Sequence, residues 1–139
     1  MLSDIDSANN LVQLFLDRAD ARPDLPFLGA KENGEWRTQT WGEVAQKVCL
    51  LAEKLRALGL KDGDRVCLVS ENRPEWCIAD LAVMAAGCIT VPTYITNTER
   101  DHIHILDNSG AKAVIVSTEK LLRPLHGALQ ATGVAEHVI

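Results

Sequence analysis

The sequence predicts an α/β fold: a mostly parallel sheet with helices on both faces, preceded by one helix and a β-hairpin. Three observations carry that prediction. From residue 40 onward, strand-length apolar runs alternate with segments of helical periodicity, the order of successive βαβ units. Residues 65–70 (RVCLVS) are apolar without alternation, which marks a central parallel strand covered on both faces. Glycine, proline and capping residues punctuate the boundaries between segments.

Each element has its own local reason. Asn10 is placed to cap a first helix, in which Leu11, Leu14, Phe15 and Arg18 recur at helical spacing. Pro23 and Pro26 end it. Residues 27–30 and 36–40 flank Asn33 and Gly34, a hairpin turn whose two residues tolerate positive φ. Thr40 and Glu43 form a capping box ahead of a long amphipathic helix. Its expected apolar stripe is Val44, Val48, Leu51, Leu55 and Leu58, and Gly59 supplies the left-handed close.

After a turn at residues 61–64 comes the central strand. Asn72 is expected to cap the next helix, and Pro74 fits its first turn, where a missing amide costs nothing. Ile78, Leu81, Ala82 and Ala85 form the expected buried stripe, ended by Gly87. Residues 88–94 read as a strand in which Pro92, lacking a ladder donor, marks a bulge, an end or an edge. A short helix from Thr98 carries Ile103 and Leu106 and closes at Gly110. Residues 111–116 form another strand. Ser117 is expected to cap a helix with Leu121, Leu122, Leu125, Ala128 and Leu129 on one face, ended by Gly133. Residues 137–139 then begin a further strand. An apolar strand that has only begun is expected of a polypeptide that continues, so the chain reads as a truncated domain.

Composition narrows the function classes. A chain of 139 residues fits one domain or part of one, and buries roughly 68% of its unfolded surface. The net charge of −5 argues against nucleic acid as a partner, which recruits a basic face. Cys49, Cys67, Cys77 and Cys88 make no CxxC pair and three lie in apolar segments. They are expected to be reduced, buried thiols in a reducing compartment rather than a disulfide framework or zinc site. Residues 1–10 are polar and acidic, expected to be flexible, and without a secretory signal pattern. The longest apolar run, residues 78–91, is interrupted and too short to be a transmembrane segment. The expected location is the cytoplasm, with peripheral membrane contact left open.

Chemistry is sparse. The loops at the expected carboxyl ends of the strands, residues 70–74, 94–98 and 117–119, contain no glycine. Neither GxxxxGK[ST] nor GxGxxG occurs, so neither common phosphate cradle is present. His102 and His104 sit two apart on an expected helix, where they point away from each other and cannot share a metal. No GxSxG surrounds Ser70 or Ser117. The helix start at residues 71–76 could attract an anion through its dipole, but Glu71 and Glu75 oppose that, and a structural role for Asn72, Pro74 and Trp76 is the simpler reading. Trp36 and Trp41 read as packing residues. These residues therefore yield no catalytic, cofactor-binding or metal site.

Several segments nevertheless form a pattern in order: residues 59–66 (GLKDGDRV), 70–76 (SENRPEW), 79–82 (ADLA), 85–87 (AAG) and 91–94 (VPTY), with 40–43 (TWGE) and 109–112 (SGAK). The pattern resembles the N-terminal segment of long-chain fatty acid–CoA ligases, the acyl-CoA synthetases of the adenylate-forming, AMP-binding superfamily. The resemblance covers roughly residues 10–139. It implies that residues 1–139 are the N-terminal part of an AMP-binding domain: residues 1–10 flexible, 11–39 helix plus hairpin, 40–139 alternating α/β units. It also implies ATP, Mg²⁺ and CoA as cofactors and a fatty acid as substrate of the full-length enzyme. The family's reactive groups are a Thr/Ser/Gly-rich phosphate loop with a lysine, an aromatic-Thr-Glu segment, a ribose-holding aspartate and a lysine on a mobile C-terminal domain. None occurs here, so this chain is expected to be inactive alone, with the remainder of the ligase as its partner and self-association through an unfinished sheet edge. Two alternatives stay open: a stand-alone α/β binding or oligomerisation module, and a different adenylate-forming enzyme.

Overall fold

A computed structural model describes residues 8–139. Of the stretch expected to be flexible, residues 1–7 lie outside the described residues. The elements are α1 (Leu11–Ala21), β1 (Pro26–Glu32), β2 (Glu35–Thr40), α2 (Trp41–Ala57), β3 (Arg65–Val69), α3 (Pro74–Ala85), β4 (Ile89–Thr93), α4 (Glu99–Ser109), β5 (Ala113–Val116), α5 (Glu119–Thr132) and β6 (His137–Val138).

The local signals act as the residues dictate. Asn10 accepts a hydrogen bond from the Gln13 amide at 2.8 Å and starts α1. Asn33 and Gly34 both take positive φ, and β1 and β2 pair antiparallel across them. In the Thr40–Glu43 capping box each partner's side chain accepts from the other's amide, at 2.8 and 3.2 Å. That reciprocity satisfies two amides that a helix start leaves unpaired. Thr98 and Asp101 repeat the device at the start of α4.

The four strands β4-β3-β5-β6 form one parallel sheet in that order. β3 is central and buried from Val66 to Val69. Pro92 lies on the edge strand β4, where its missing donor breaks no ladder on the open side. On one face, Val66 and Ala113 pack with Val44, Val48, Leu55, Ile78 and Ala82 of α2 and α3. On the other, Cys67, Val69 and Val114 pack with Leu106, Leu121, Leu125 and Ala128 of α4 and α5. Phe27 stacks on Trp41 at 3.8 Å and Phe15 leans on both, tying α1 and the hairpin to α2.

Two expected stripes shift. In α2 the buried residues are Val44, Val48, Ala52 and Leu55; Leu51 is half-buried and Leu58 exposed. The helix ends at Ala57, so Leu58 sits at its terminus, outside the stripe. In α3 the buried residues are Ile78, Ala79, Leu81, Ala82 and Val83, a surface wider than a stripe, while Ala85 is half-buried. A helix buried on several sides needs no amphipathic pattern.

The amino ends of the strands form a closed rim. Asp64 is buried, accepting from the Lys61 amide at 2.8 Å and from Lys112 Nζ at 3.1 Å. Arg65 donates to the carbonyls of Ser109 at 2.7 Å, Gly63 at 3.2 Å and Gly110 at 3.3 Å. Its guanidinium thereby satisfies carbonyls that the end of α4 leaves free. The Arg56–Asp62 pair, at 2.9 Å, lies against Gly87, where a Cβ would come within 2.3 Å of the aspartate oxygen.

Candidate functional site

A parallel sheet binds ligands beyond the carboxyl ends of its strands, where the strand order reverses. Here the chain runs from β3 outward to β4, then crosses β3 to β5. The reversal lies between β3 and β5, and the loops after them carry the most telling polar contact of that end. The Ser117 hydroxyl donates to the Glu71 carboxylate. The Ser70 hydroxyl turns back to the Glu71 carbonyl at 3.0 Å. The bond from Ser117 is the largest influence holding the Glu71 carboxyl below its ordinary range, aided by a backbone amide and the charges of Arg73 and Lys120. An ionised carboxylate is therefore fixed at the switch point.

This contact also explains where two helices start. Ser117 is not the cap of α5. Its amide donates to the Val69 carbonyl at 3.1 Å and its hydroxyl is committed to Glu71, so Thr118 caps instead, accepting from the Leu121 amide at 3.3 Å. Asn72 is not the cap of α3 either. Pro74 occupies the first turn and drives the residue before it into extended backbone. Arg73 thus takes the cap position, at φ −154°, and its side chain caps none of the helix's free amides. Its Nε instead donates to Glu75 at 2.7 Å.

Two open hollows lie at this end. A groove of about 1140 Å³ separates the hairpin from the start of α3, with Leu28, Trp36, Arg37, Glu71, Arg73 and Trp76 on its walls. A second, of about 640 Å³, follows β4 and includes Pro92, Tyr94, Asn97, Arg100 and His104. The sequence singled out these loops but gave no sign of the groove, because the hairpin wall comes from residues some forty positions earlier.

The remaining candidates are dispersed. His102 is 1% exposed with Nδ1 unpartnered, and burial lowers its pKa; His104 faces the second hollow. The two do not converge. Among the described residues no three His, Cys, Asp or Glu groups are arranged to hold a metal ion. All four cysteines are free, but Cys49 is exposed and Cys77 half-buried, which corrects the expectation of uniform burial. Burial pushes the Cys67 thiol up to about 12, the reverse of an activated nucleophile. Trp41 packs as expected, whereas Trp36 stands out in solvent.

Toward a nucleotide phosphate the mouth presents the Glu71 carboxylate, and the loops at residues 70–74, 94–98 and 117–119 carry no glycine to bring backbone amides around an anion.

The AMP-binding enzyme profile matches residues 15–139. The chain is 32% identical over 111 residues to the long-chain-fatty-acid–CoA ligase FadD15 of Mycobacterium tuberculosis, covering 80% of this chain and 18% of that protein. It thus spans under a fifth of the length of such relatives. A solved Mycobacterium tuberculosis fatty acyl CoA synthetase superposes with a TM-score of 0.78 at 27% identity, over 94% of this chain and 26% of that one. The N-terminal domain of FACL13 from the same organism superposes at 0.82 and 25% identity, over 95% of this chain and 34% of that one.

Proposed function

The chain belongs to the AMP-binding enzyme family, and from that premise we propose that it is the N-terminal part of an ATP-dependent fatty acid–CoA ligase, not catalytically competent alone. In the reaction proposed for the full-length enzyme, a fatty carboxylate attacks the α-phosphate of ATP. Acyl-adenylate forms and pyrophosphate leaves. The CoA thiol then displaces AMP to give the thioester. Mg²⁺ would offset phosphate charge, held like ATP and CoA by residues outside this chain. The proposed location is the cytoplasm. No helix among the described residues is long and apolar enough to cross a membrane.

The observation that carries this reading is a mismatch. The fold is that of adenylate-forming N-terminal domains, yet its switch point holds a carboxylate and no phosphate cradle. Such a chain supports chemistry supplied from elsewhere in a longer polypeptide. The test is expression of the open reading frame extended to the length of the relatives. It should form palmitoyl-CoA from palmitate, ATP and CoA. An extended protein that binds palmitate or ATP but makes neither adenylate nor thioester contradicts the reading.

The isolated chain carries one open consequence. Among the described residues β6 pairs with β5 alone, and Val138 and Ile139 on its other edge are exposed. An unpaired apolar edge templates pairing, so the chain is proposed to self-associate at high concentration. Light scattering that reads a strict monomer counts against this.

A further inference from the structure

We infer that the carboxyl-end mouth of the sheet, from Trp36 across the Glu71–Ser117 pair to Tyr94, is the surface on which the remainder of the ligase polypeptide packs. The inference rests on the ligase reading and adds the face through which scaffold and chemistry meet.

Tyr94 is 80% exposed and Trp36 72% exposed, the highest values among the exposed large apolar side chains of the described residues. Both stand at the same end of the sheet. Tyr94 follows β4 directly, with exposed Ile95 beside it, and Trp36 walls the groove against the start of α3. Aromatic rings each bury about 150–250 Å² when covered. Rings left in water beside a concave, polar-rimmed surface mark a contact with another polypeptide.

The charges point the same way. Arg37 pairs with Glu32 at 3.2 Å, Arg73 with Glu75 at 2.7 Å, and Glu71 takes the Ser117 hydroxyl. With these exposed ions paired, the two rings are the uncovered apolar area of a mouth whose walls also carry Lys31, Gln39 and Asn72. The occupant is therefore a protein surface that covers the rings and meets a polar rim. The length needed exists in the similar proteins, since even the separately solved FACL13 N-terminal domain is about three times as long as this chain. At the amino-end rim the buried polar groups are bonded to one another, and the exposed apolar residues there, Leu58 at 42% and Ile89 at 52%, are aliphatic and less exposed than the two rings.

Hydroxyl-radical footprinting read by mass spectrometry tests the assignment on the 139-residue chain and on the extended protein. Trp36 and Tyr94 should oxidise readily in the chain and at least about tenfold more slowly in the extended protein, as expected of an interface core that excludes water. Leu58 should react equally in both. Unchanged reactivity of Trp36 and Tyr94 overturns the inference, as does protection of Leu58 in their place. Protection of the two rings in the short chain that disappears on dilution also overturns it, by making a second copy the occupant. Palmitoyl-CoA formation by the same extended preparation separates the two ideas. Activity without protection sinks the docking face alone; protection without activity sinks the ligase reading alone.

Discussion

The two ends of the parallel sheet are made by the same strands and differ in where their polar groups find partners. At the amino end, Asp64, Arg65 and Lys112 bond to backbone carbonyls, to an amide and to each other across β3, β5 and the end of α4. At the carboxyl end, one side-chain bond, Ser117 to Glu71, joins the strands at the reversal point, and two aromatic rings face solvent. The difference teaches that the first end is closed by its own polar groups, whereas the second, on the proposed reading, is completed by the rest of the ligase. Stability should therefore concentrate at the amino end, and function at the carboxyl end.

Substitutions can break or sharpen that contrast. The largest effect is expected from Arg65→Ala, which removes a charged donor from three carbonyls. Urea unfolding should show a loss of about 2–3 kcal/mol. Gly87→Ala comes next. Its φ of 79° is left-handed, and the new Cβ would displace the Asp62 carboxylate from Arg56. The expected loss is about 1–2 kcal/mol, mostly from the backbone. Ser117→Ala should cost about 1 kcal/mol, since Glu71 is left with its other contacts and water. If Ser117→Ala proves costlier than Arg65→Ala, the contrast between the ends is wrong. Trp36→Ala should change the stability of the isolated chain by no more than about 0.5 kcal/mol.

Acid sharpens the same comparison. The Lys61 amide, and then the Lys112 ammonium, hold the Asp64 carboxyl below its ordinary value of 3.8, although burial opposes them. A depressed folded pKa adds stability above the unfolded value, lost as pH falls through the folded one. Stability should thus decline as pH drops below about 4, and Asp64→Asn should flatten that decline in a pH series of denaturation midpoints.

Most of the fold was legible in the sequence because its signals are local. The Asn33-Gly34 turn, the Thr40–Glu43 box and the unalternating central strand each act through neighbours within a few residues. The failures fell at helix starts, and each has a competing cause. Asn72 lost the cap to Arg73 because Pro74 sets the backbone before it. Ser117 lost it because a carboxylate 46 residues away claims its hydroxyl. The candidate site was less legible still. Glu71, Ser117 and Trp36 come together only when a crossover connection and the hairpin fold back, and no spacing pattern records that.

The central claim is that this chain is a scaffold whose reactive groups lie elsewhere. Exchange of labelled pyrophosphate into ATP, with palmitate present and the purified 139-residue chain as the sole protein, tests it most directly. The account predicts no exchange above a protein-free control at any chain concentration. Palmitate-dependent exchange that scales with the amount of chain would contradict it.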